Sequence, residues 1–225
     1  MMQLCERDGG WRAHPTAEIS ECAHIGADTV IWRNAHIREN ARVGRQCIIG
    51  AGAYIGAGVE LGDKCKVQND ALLYEGLILE GGVFVGPQVC FTNDYWPRAV
   101  NPDGTLKSSS DWELRHTVVR YGASVGARTV VVTDITIGVF ALVGAGSVVT
   151  RNIPDHALVF GAPARIRGWV CACGLRLELV AGASRGWCAA CRSWTDLPAV
   201  VATNATEAPA PTRPVVSAFG STLPL

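Results

Sequence analysis

The sequence predicts an all-β protein built as a triangular solenoid, and two observations support that prediction. Every sixth residue from Ile19 to Phe91 is Ile, Val, Leu or Phe. Glycine is frequent, at 25 residues, and charged residues make up only 18% of the chain, which favours short strands and tight turns over a helical bundle. A period of six is neither helical nor the alternation of a flat strand. It suits a chain of short flat faces, each with one inward aliphatic residue and a small residue at the corner.

Three such hexapeptides make one coil of the solenoid. Residues 19–90 supply four coils, and the rhythm resumes at Val119 for two more coils, to about residue 154. We therefore expect about six coils. An ordinary β-sandwich with coincidental spacing is the alternative.

The rhythm is interrupted between Phe91 and Val119, where the chain reads TNDYWPRAVNPDG and onward. A long insertion without secondary structure of its own is usually functional or disordered. Its Tyr95, Trp96 and Trp112 favour an ordered loop thrown out from one coil.

Charge and leader signals exclude several classes of protein. The net charge is zero, so strong attraction to nucleic acid or to a membrane surface is not expected. The first residues lack the apolar stretch of a signal peptide, and no apolar run is long enough to span a bilayer. We expect a cytoplasmic protein. The sequence contains no GxGxxG or Walker motif for NAD or ATP.

Four of the nine cysteines cluster near the C-terminus, as Cys171-x-Cys173 followed by Cys188-x-x-Cys191. Two close pairs of thiolates suggest a structural zinc ribbon, although C-x-C departs from the usual C-x-x-C. A redox pair and unpaired structural cysteines remain alternatives. The predicted organisation is a solenoid domain over 1–168 with a short helical end, a Cys-rich ribbon over 169–196, and a disordered tail over 197–225 rich in Ala, Thr and Pro.

Several segments together resemble one family. They are GPQVCFTNDYWPRA, RHTVVRYGASVGA, HPTAEI, KVQND, and IGVFALVGAGSVVTRNIPDHALVFGAPAR. Over residues 14–170 the chain resembles the hexapeptide-repeat acyltransferases, and among them the nucleotide-linked 3-amino-sugar N-acetyltransferases of O-antigen biosynthesis. The resemblance implies a left-handed parallel β-helix, a homotrimer with ligand grooves between subunits, and transfer of an acetyl group from acetyl-CoA to a sugar amine.

Asn93 is the candidate catalytic residue that the resemblance implies. A carboxamide cannot remove a proton at neutral pH, but it can orient the amine or donate a hydrogen bond. The resemblance implies direct attack of the amine on the thioester without a strong side-chain base; the alternative is an Asn that only shapes a turn. Asp94 is the second candidate catalytic residue. It favours the ammonium form or binds the sugar, or else it caps the loop. His116, just before the rhythm resumes, is placed where a general base could act, but the family pattern does not require a histidine there, which favours a solvated loop residue.

The remaining candidates bind the two substrates. The resemblance implies that Gln68, Asn69 and Tyr74 contact the sugar nucleotide. Arg98 either pairs with a phosphate or carboxylate of that ligand or braces the loop. For coenzyme A the resemblance implies close approach of pantetheine to small residues, and phosphate contacts from two arginines. The residues concerned are Gly126, Ala127, Gly144, Ala145, Arg165 and Arg167.

Three other functions were compared with this one. An acetyltransferase of the same fold acting on serine, an antibiotic or an unlinked sugar would share the coils but not the TND-x-x-PR loop. A γ-type carbonic anhydrase needs three His around zinc, two of them closely spaced, and the five His here include no such pair. A non-catalytic scaffold would have unbroken coils.

Overall fold

The computed structural model describes residues 4–7, 9–108, 110–179 and 184–198. These ranges contain 26 strands and no helix, so no described helix could cross a membrane. The strands are β1 Cys5–Arg7, β2 Trp11–Ala13, β3 Glu18–Ile19, β4 His24–Ile25, β5 Val30–Ile31, β6 His36–Ile37, β7 Arg42–Val43, β8 Ile48–Ile49, β9 Tyr54–Ile55, β10 Glu60–Leu61, β11 Lys66–Val67, β12 Leu72–Leu73, β13 Leu77–Leu79, β14 Phe84–Val85, β15 Cys90–Phe91, β16 Thr117–Val119, β17 Ser124–Val125, β18 Val130–Val131, β19 Thr136–Ile137, β20 Leu142–Val143, β21 Val148–Val149, β22 Ala157–Phe160, β23 Arg165–Trp169, β24 Glu178–Leu179, β25 Arg185–Cys188 and β26 Ser193–Asp196.

Three parallel sheets form the faces of the solenoid. Sheet A contains β2, β5, β8, β11, β14, β17, β20 and β22; sheet B contains β3, β6, β9, β12, β15, β18 and β21; sheet C contains β4, β7, β10, β13, β16 and β19. Ile37 pairs with Ile55, and Ile55 with Leu73, so one coil takes eighteen residues. The predicted triangular solenoid of hexapeptides is confirmed.

The core is a set of columns inside the three sheets. The periodic aliphatic residues are buried from Ile31 to Phe91 and again from Val119 to Val149, whereas Ile19 and Ile25 in the first coil are half-buried. The small residues two positions earlier, such as Ala53 and Cys65, are also buried. Inward residues therefore alternate along each short strand and corner, which explains why a period of six resembles neither a helix nor a flat sheet.

Three edges run along the solenoid where the sheets meet. The AB edge contains residues 50–53, 68–71, 86–89, 126–129 and 144–147. The BC edge contains residues 38–41, 56–59 and 74–76 and the interrupting loop 92–116. The CA edge contains residues 62–65, 80–83, 120–123 and 138–141. Most of the predicted site residues lie on two of these edges, AB and BC.

The solenoid extends beyond the predicted coils at both ends, to about eight turns. β2 pairs in parallel with β5 below the first coil, and β22 with β20 above the last. The short helical end predicted before residue 168 is absent from this region, because β22 and β23 form an antiparallel pair there. Ala157 and Val159 are both buried, a period of two that suits a strand and not a helix.

The Cys-rich segment folds as a small antiparallel sheet of β24, β25 and β26. It follows β23 directly, and the backbone nitrogen of Leu177 donates a hydrogen bond to the carbonyl of Trp169 at 2.9 Å. Trp169, Val170 and Leu177 are buried at this junction. The predicted disordered tail falls almost wholly on residues 199–225, which lie outside the described part of the chain, so it stays a prediction.

Candidate functional site

The interrupting loop leaves the solenoid at the BC edge. Leu61 pairs with Leu79, eighteen residues on, but Leu79 pairs with Val119, forty residues on. The loop therefore inserts 22 residues without changing the stacking of the coils. Where the chain returns, Gly76 lies directly against it: a Cβ at this position would collide with the carbonyl oxygen of Arg115.

The outer part of the loop is a small hairpin with its own hydrogen bonds. Val100 and Leu106 form an antiparallel bridge, and the Asn101 nitrogen donates to the Thr105 carbonyl at 2.8 Å. The hydroxyl of Thr105 donates to an Asp103 carboxylate oxygen at 2.7 Å. This hydrogen bond is the main reason that the pKa of Asp103 lies below its usual range. The prediction of an ordered loop agrees with this geometry.

Asn93 and Asp94 stand at the root of the loop, directly after β15. The Asn93 side chain is half-buried and makes no hydrogen bond to a described residue, so its amide is available to a ligand. Asp94 accepts a hydrogen bond from the Trp96 backbone nitrogen at 2.8 Å, which is the loop-capping role weighed for it above. A contact of either residue with an amine stays a prediction.

An open cleft of about 400 Å³ lies within the loop. Its lining combines three aromatic side chains with both signs of charge: Asp94, Tyr95, Trp96, Arg98, Val100, Asn101, Pro102, Lys107, Asp111, Trp112, Glu113 and Arg115. Arg98 is exposed, and its guanidinium donates to the neighbouring Pro97 carbonyl at 2.8 Å. No salt bridge joins Arg98 to a described carboxylate, so Arg98 does not brace the loop through an ion pair with these residues.

Tyr74 lies on the same edge, below Thr92 in the stack of coils. Its ring centre is 5.5 Å from that of Tyr54, which in turn lies 5.5 Å from the ring of His36. The Tyr54 hydroxyl accepts a hydrogen bond from Arg38 at 3.1 Å. Sequence reasoning missed Arg38 and Tyr54. The eighteen-residue coil places Arg38 in one column with Gly56, Tyr74 and Thr92, and that column would have found Arg38. Tyr54 belongs to the neighbouring column with His36 and Leu72.

Gln68 and Asn69 lie on the other candidate edge, AB. The Asn69 side-chain oxygen accepts a hydrogen bond from the Ala51 nitrogen at 3.0 Å, which links two coils. Gly50 lies beneath it, and a Cβ there would come within 2.6 Å of the Asn69 nitrogen. Asn69 therefore has a structural role at this corner. The half-buried Gln68 has no such side-chain bond within the described ranges.

The four small residues predicted to approach coenzyme A stack on the same AB edge. A Cβ at Gly126 would lie 2.5 Å from the Ala145 nitrogen, so close packing of coils by itself requires glycine there. Ala127 and Ala145 follow Gly126 and Gly144, and Ala145 is exposed. The edge offers a nearly bare backbone to a thin ligand, and binding of coenzyme A to it stays a prediction.

The two predicted phosphate-binding arginines lie above this edge, on β23. The Arg167 guanidinium carbon is 5.6 Å from the centre of the Phe160 ring, and Phe160 packs directly over Gly144. Arg165 donates to the carbonyl of Ala164 at 3.0 Å. Neither arginine forms a salt bridge with a described carboxylate, so both charges are free for an anion at the end of the AB edge.

One chain thus divides its predicted site residues between two edges. Asn93, Asp94, Tyr74 and Arg98 lie on BC, whereas Gln68 and Asn69 lie on AB with the residues proposed for coenzyme A. The solenoid itself separates the two sets, because each edge is a different corner of the triangle. A site that uses both sets needs the AB edge of one chain to face the BC edge of another.

The four C-terminal cysteines converge, with their sulfur atoms all within 4.8 Å of one another. Cys171 Sγ lies 3.8 Å from Cys191 Sγ, and Cys173 Sγ lies 3.7 Å from Cys188 Sγ. Four thiolates about 2.3 Å from a central Zn²⁺ would form a tetrahedron with edges of about 3.8 Å. A disulfide needs only about 2.05 Å between its sulfur atoms. The measured distances fit a metal and not a disulfide.

A backbone hydrogen bond in this cluster favours the thiolate form of Cys188. The Cys191 nitrogen donates to Cys188 Sγ at 3.5 Å. Chiefly through this bond, the pKa of Cys188 falls to about 7. The shared sulfur contacts, led by that with Cys173, raise the pKa of Cys191 to about 12. One thiol therefore ionises readily, and the group as a whole resists carrying several negative charges unless a cation joins it.

Comparison with known proteins agrees with the repeat architecture. Residues 22–57 match the family described as bacterial transferase hexapeptide (six repeats). Over 64 residues, 28% of this chain, the sequence is 56% identical to dTDP-3-amino-3,6-dideoxy-alpha-D-galactopyranose 3-N-acetyltransferase of Aneurinibacillus thermoaerophilus, covering 33% of that protein. Over 101 residues, 44% of this chain, it is 37% identical to serine acetyltransferase of Escherichia coli K12, covering 36% of that protein.

Among solved structures, the chain is similar to perosamine N-acetyltransferase from Caulobacter crescentus, solved with CoA and GDP-perosamine. The identity is 25%, the TM-score is 0.40, and the alignment covers 71% of this chain and 57% of that one. The chain spans only about a third of the length of the two curated relatives above. The resemblance to hexapeptide-repeat acyltransferases, and to a 3-amino-sugar N-acetyltransferase among them, is confirmed by the sequence matches.

Proposed function

Since this chain is a hexapeptide-repeat protein that resembles the acyltransferases, we propose that it is an acetyl-CoA-dependent N-acetyltransferase acting on a nucleotide-linked 3-amino sugar. The observation that carries the proposal is the 56% identity, over 64 residues, to a dTDP-3-amino-sugar 3-N-acetyltransferase. The loop at the BC edge supports it, because a scaffold would have no reason to interrupt its coils there.

The chemistry needs a neutral amine held against a thioester, and donors for the charge that develops on the carbonyl oxygen. In this proposal the Asn93 amide orients the amine of the acceptor, since its side chain is half-buried at the loop root and has no partner in the described part of the chain. Asp94 holds the loop turn through Trp96 and thereby positions Asn93. Tyr74 supplies an aromatic wall on the same edge.

Coenzyme A would lie along the AB edge of a neighbouring copy. Its pantetheine arm would pass Gly126, Ala127, Gly144 and Ala145, and Arg165 and Arg167 would meet its phosphates as point charges. Because the two halves of the site lie on different edges of one chain, the proposal includes a homotrimer with the AB edge of each subunit facing the BC edge of the next.

We also propose that Cys171, Cys173, Cys188 and Cys191 hold one structural Zn²⁺. The sulfur distances of 3.7 and 3.8 Å support this assignment. Four protein ligands leave no open position for a substrate, so the metal would fold the ribbon and take no part in acetyl transfer.

The experiment that tests the function is thiol release from acetyl-CoA with a panel of UDP- and dTDP-linked 3-amino and 4-amino sugars. We expect selective turnover of a 3-amino sugar. Coenzyme A binding with no turnover of any panel member would contradict the proposed acceptor, and absence of coenzyme A binding would contradict an acyltransferase altogether.

Acetyl transfer to serine or another small acceptor is the second candidate. It is favoured by the 37% identity to serine acetyltransferase over 101 residues, a longer alignment than the first. Including L-serine in the panel distinguishes the two, because turnover of serine without turnover of any nucleotide sugar would replace the first proposal with the second.

A further inference from the structure

The cleft within the loop is lined by three cationic side chains, Arg98, Lys107 and Arg115, and by three carboxylates. Its carboxylates already have partners: Asp94 caps the Trp96 nitrogen, Asp111 accepts from the nitrogen and the hydroxyl of Ser108 at 2.7 Å each, and Glu113 pairs with Arg115. No salt bridge reaches Arg98 or Lys107 from any carboxylate among residues 9–108 and 110–179. The pKa of Asp111 lies below its usual range chiefly because of the hydrogen bonds from Ser108, and the Lys107 charge adds a smaller contribution, so Arg98 is the less compensated of the two cations.

The shape of the loop directs these two cations into one space. The backbone nitrogen of Lys107 donates a hydrogen bond to the carbonyl of Ala99 at 3.0 Å, so Arg98 and Lys107 lie near the open end of the same hairpin. Both side chains line the cleft. Two cations that line one cleft without a salt bridge favour a ligand with more than one anionic oxygen, such as a diphosphate.

Aromatic side chains form the other part of the lining. Trp96 is 49% exposed, and its ring packs edge-on against Tyr95 with centroids 4.9 Å apart. Trp112 lines the same cleft and is half-buried. An exposed indole leaves apolar surface in contact with water, which is unfavourable unless a flat ligand covers the ring. Stacking on an aromatic ring is a common way to hold a nucleobase.

We propose that this cleft binds the nucleoside diphosphate half of the acceptor, with Arg98 and Lys107 on the phosphate oxygens and Trp96 and Trp112 flanking the base. The inference rests on the proposed function and adds Lys107, Trp96 and Trp112 to its site. The cleft volume of about 400 Å³ lies within the range of about 300–1,000 Å³ typical of small-molecule sites. The loop root then presents Asn93 to the sugar while the outer loop holds the nucleotide.

The test is calorimetric titration of the full chain with UDP, dTDP and GDP, and separately with coenzyme A, since both ligand groups contain a nucleoside diphosphate. We expect the double variant Arg98→Ala/Lys107→Ala to bind the preferred nucleotide at least about tenfold more weakly. Coenzyme A affinity should be unchanged. Arg42→Ala, which removes an exposed cation on β7 in sheet C, is the matched control and should change neither.

A second variant tests the aromatic wall. Trp96→Ala should weaken nucleotide binding by about fivefold or more, and Trp96→Phe, which keeps a ring, should retain most of the affinity. Trp96 is largely exposed, so neither change should alter the melting temperature of the solenoid.

Three results of the binding titrations would overturn the inference. They are no nucleotide binding by the wild type at millimolar concentration, unchanged nucleotide affinity in the double variant, and loss of coenzyme A affinity in place of nucleotide affinity. Free nucleotides bind without turnover, so the result is independent of the acetylation assay. Turnover of a nucleotide-linked sugar with unchanged KM in the double variant would remove the inference and leave the proposed function standing. Nucleotide binding that is lost in the double variant, without turnover of any amino sugar by the wild type, would leave the nucleotide site standing and remove the proposed acetyl transfer.

Discussion

Phe91 fixes the point from which the loop leaves the solenoid, and its truncation gives the sharpest test of that architecture. The ring is 1% exposed and fills the core between Leu73 and Val131, its partners in sheet B. Two residues further on is Asn93. Removing the ring would therefore leave a cavity directly beneath the root of the candidate site.

The expected cost can be estimated from the burial. A fully buried Phe replaced by Ala typically lowers the free energy of unfolding by about 3–5 kcal/mol, the sum of lost transfer energy and an unfilled cavity. Phe91→Leu keeps most of the volume and should cost less than about 1.5 kcal/mol. A coil on either side restricts collapse around the cavity, so we expect the upper half of the range for Ala.

Urea unfolding at one fixed protein concentration, followed by far-ultraviolet circular dichroism, measures both variants. With a slope of about 1–3 kcal/mol per molar urea, Phe91→Ala should lower the midpoint by about 1 M or more, while Phe91→Leu should lower it much less. Fixed concentration matters because subunit association would itself shift the midpoint. A loss below about 1 kcal/mol for Phe91→Ala would refute the placement of this ring in the core.

Three further predictions address the site and the ribbon. Asn93→Ala should lower kcat at least about tenfold with little change in coenzyme A affinity, because it removes an amide that orients the amine; near-normal turnover would remove Asn93 from the mechanism, and Asn93→Asp tests whether a carboxylate substitutes. Metal analysis of the purified chain should find one zinc per chain, and Cys191→Ser should lower that content while leaving the melting of the solenoid unchanged; full zinc content in the variant would contradict four-cysteine coordination. The hydrogen bond from the Ser108 nitrogen lowers the pKa of Asp111, so the stabilisation of the loop by this carboxylate is present above the ordinary carboxyl pKa and is lost as the pH falls through the lowered value. Backbone hydrogen exchange in the loop, corrected for its intrinsic pH dependence, should therefore become faster at low pH in the wild type. In Asp111→Asn it should already be fast at pH 7.

Much of the fold could be predicted from the sequence because the signal repeats. A single inward residue in each hexapeptide is weak evidence, but thirteen in succession, from Ile19 to Phe91, determine the faces and the coil length. Eleven of them, from Ile31 to Phe91, are buried in the core. The ends were harder to predict. Terminal coils have a neighbour on one side only, so their residues follow the repeat less strictly, and β2 and β22 were missed for that reason.

The candidate site was only partly predictable. The sequence indicated the loop and the four cysteines, since both break the pattern of their surroundings. Sequence reasoning did not place Gln68 and Asn93 on different edges, although the eighteen-residue coil separates them, since they are not a whole number of coils apart. Nor did it indicate the cleft, whose lining joins Arg98 to Lys107 through a hairpin bridge between Val100 and Leu106 that no local motif announces.

The sequence by itself therefore determined the coil, the core columns and the place where the coils are interrupted, because each is a local choice repeated along the chain. Only the tertiary structure decided which partners each polar group has. It assigned Asp94 to the Trp96 nitrogen, left Arg98 and Lys107 without a salt bridge to a described carboxylate, and brought the sulfur atoms of Cys171 and Cys191 to 3.8 Å. The physical reason is that hydrogen bonds and metal geometry depend on distances of a few tenths of an ångström between residues far apart in sequence, which periodicity does not encode.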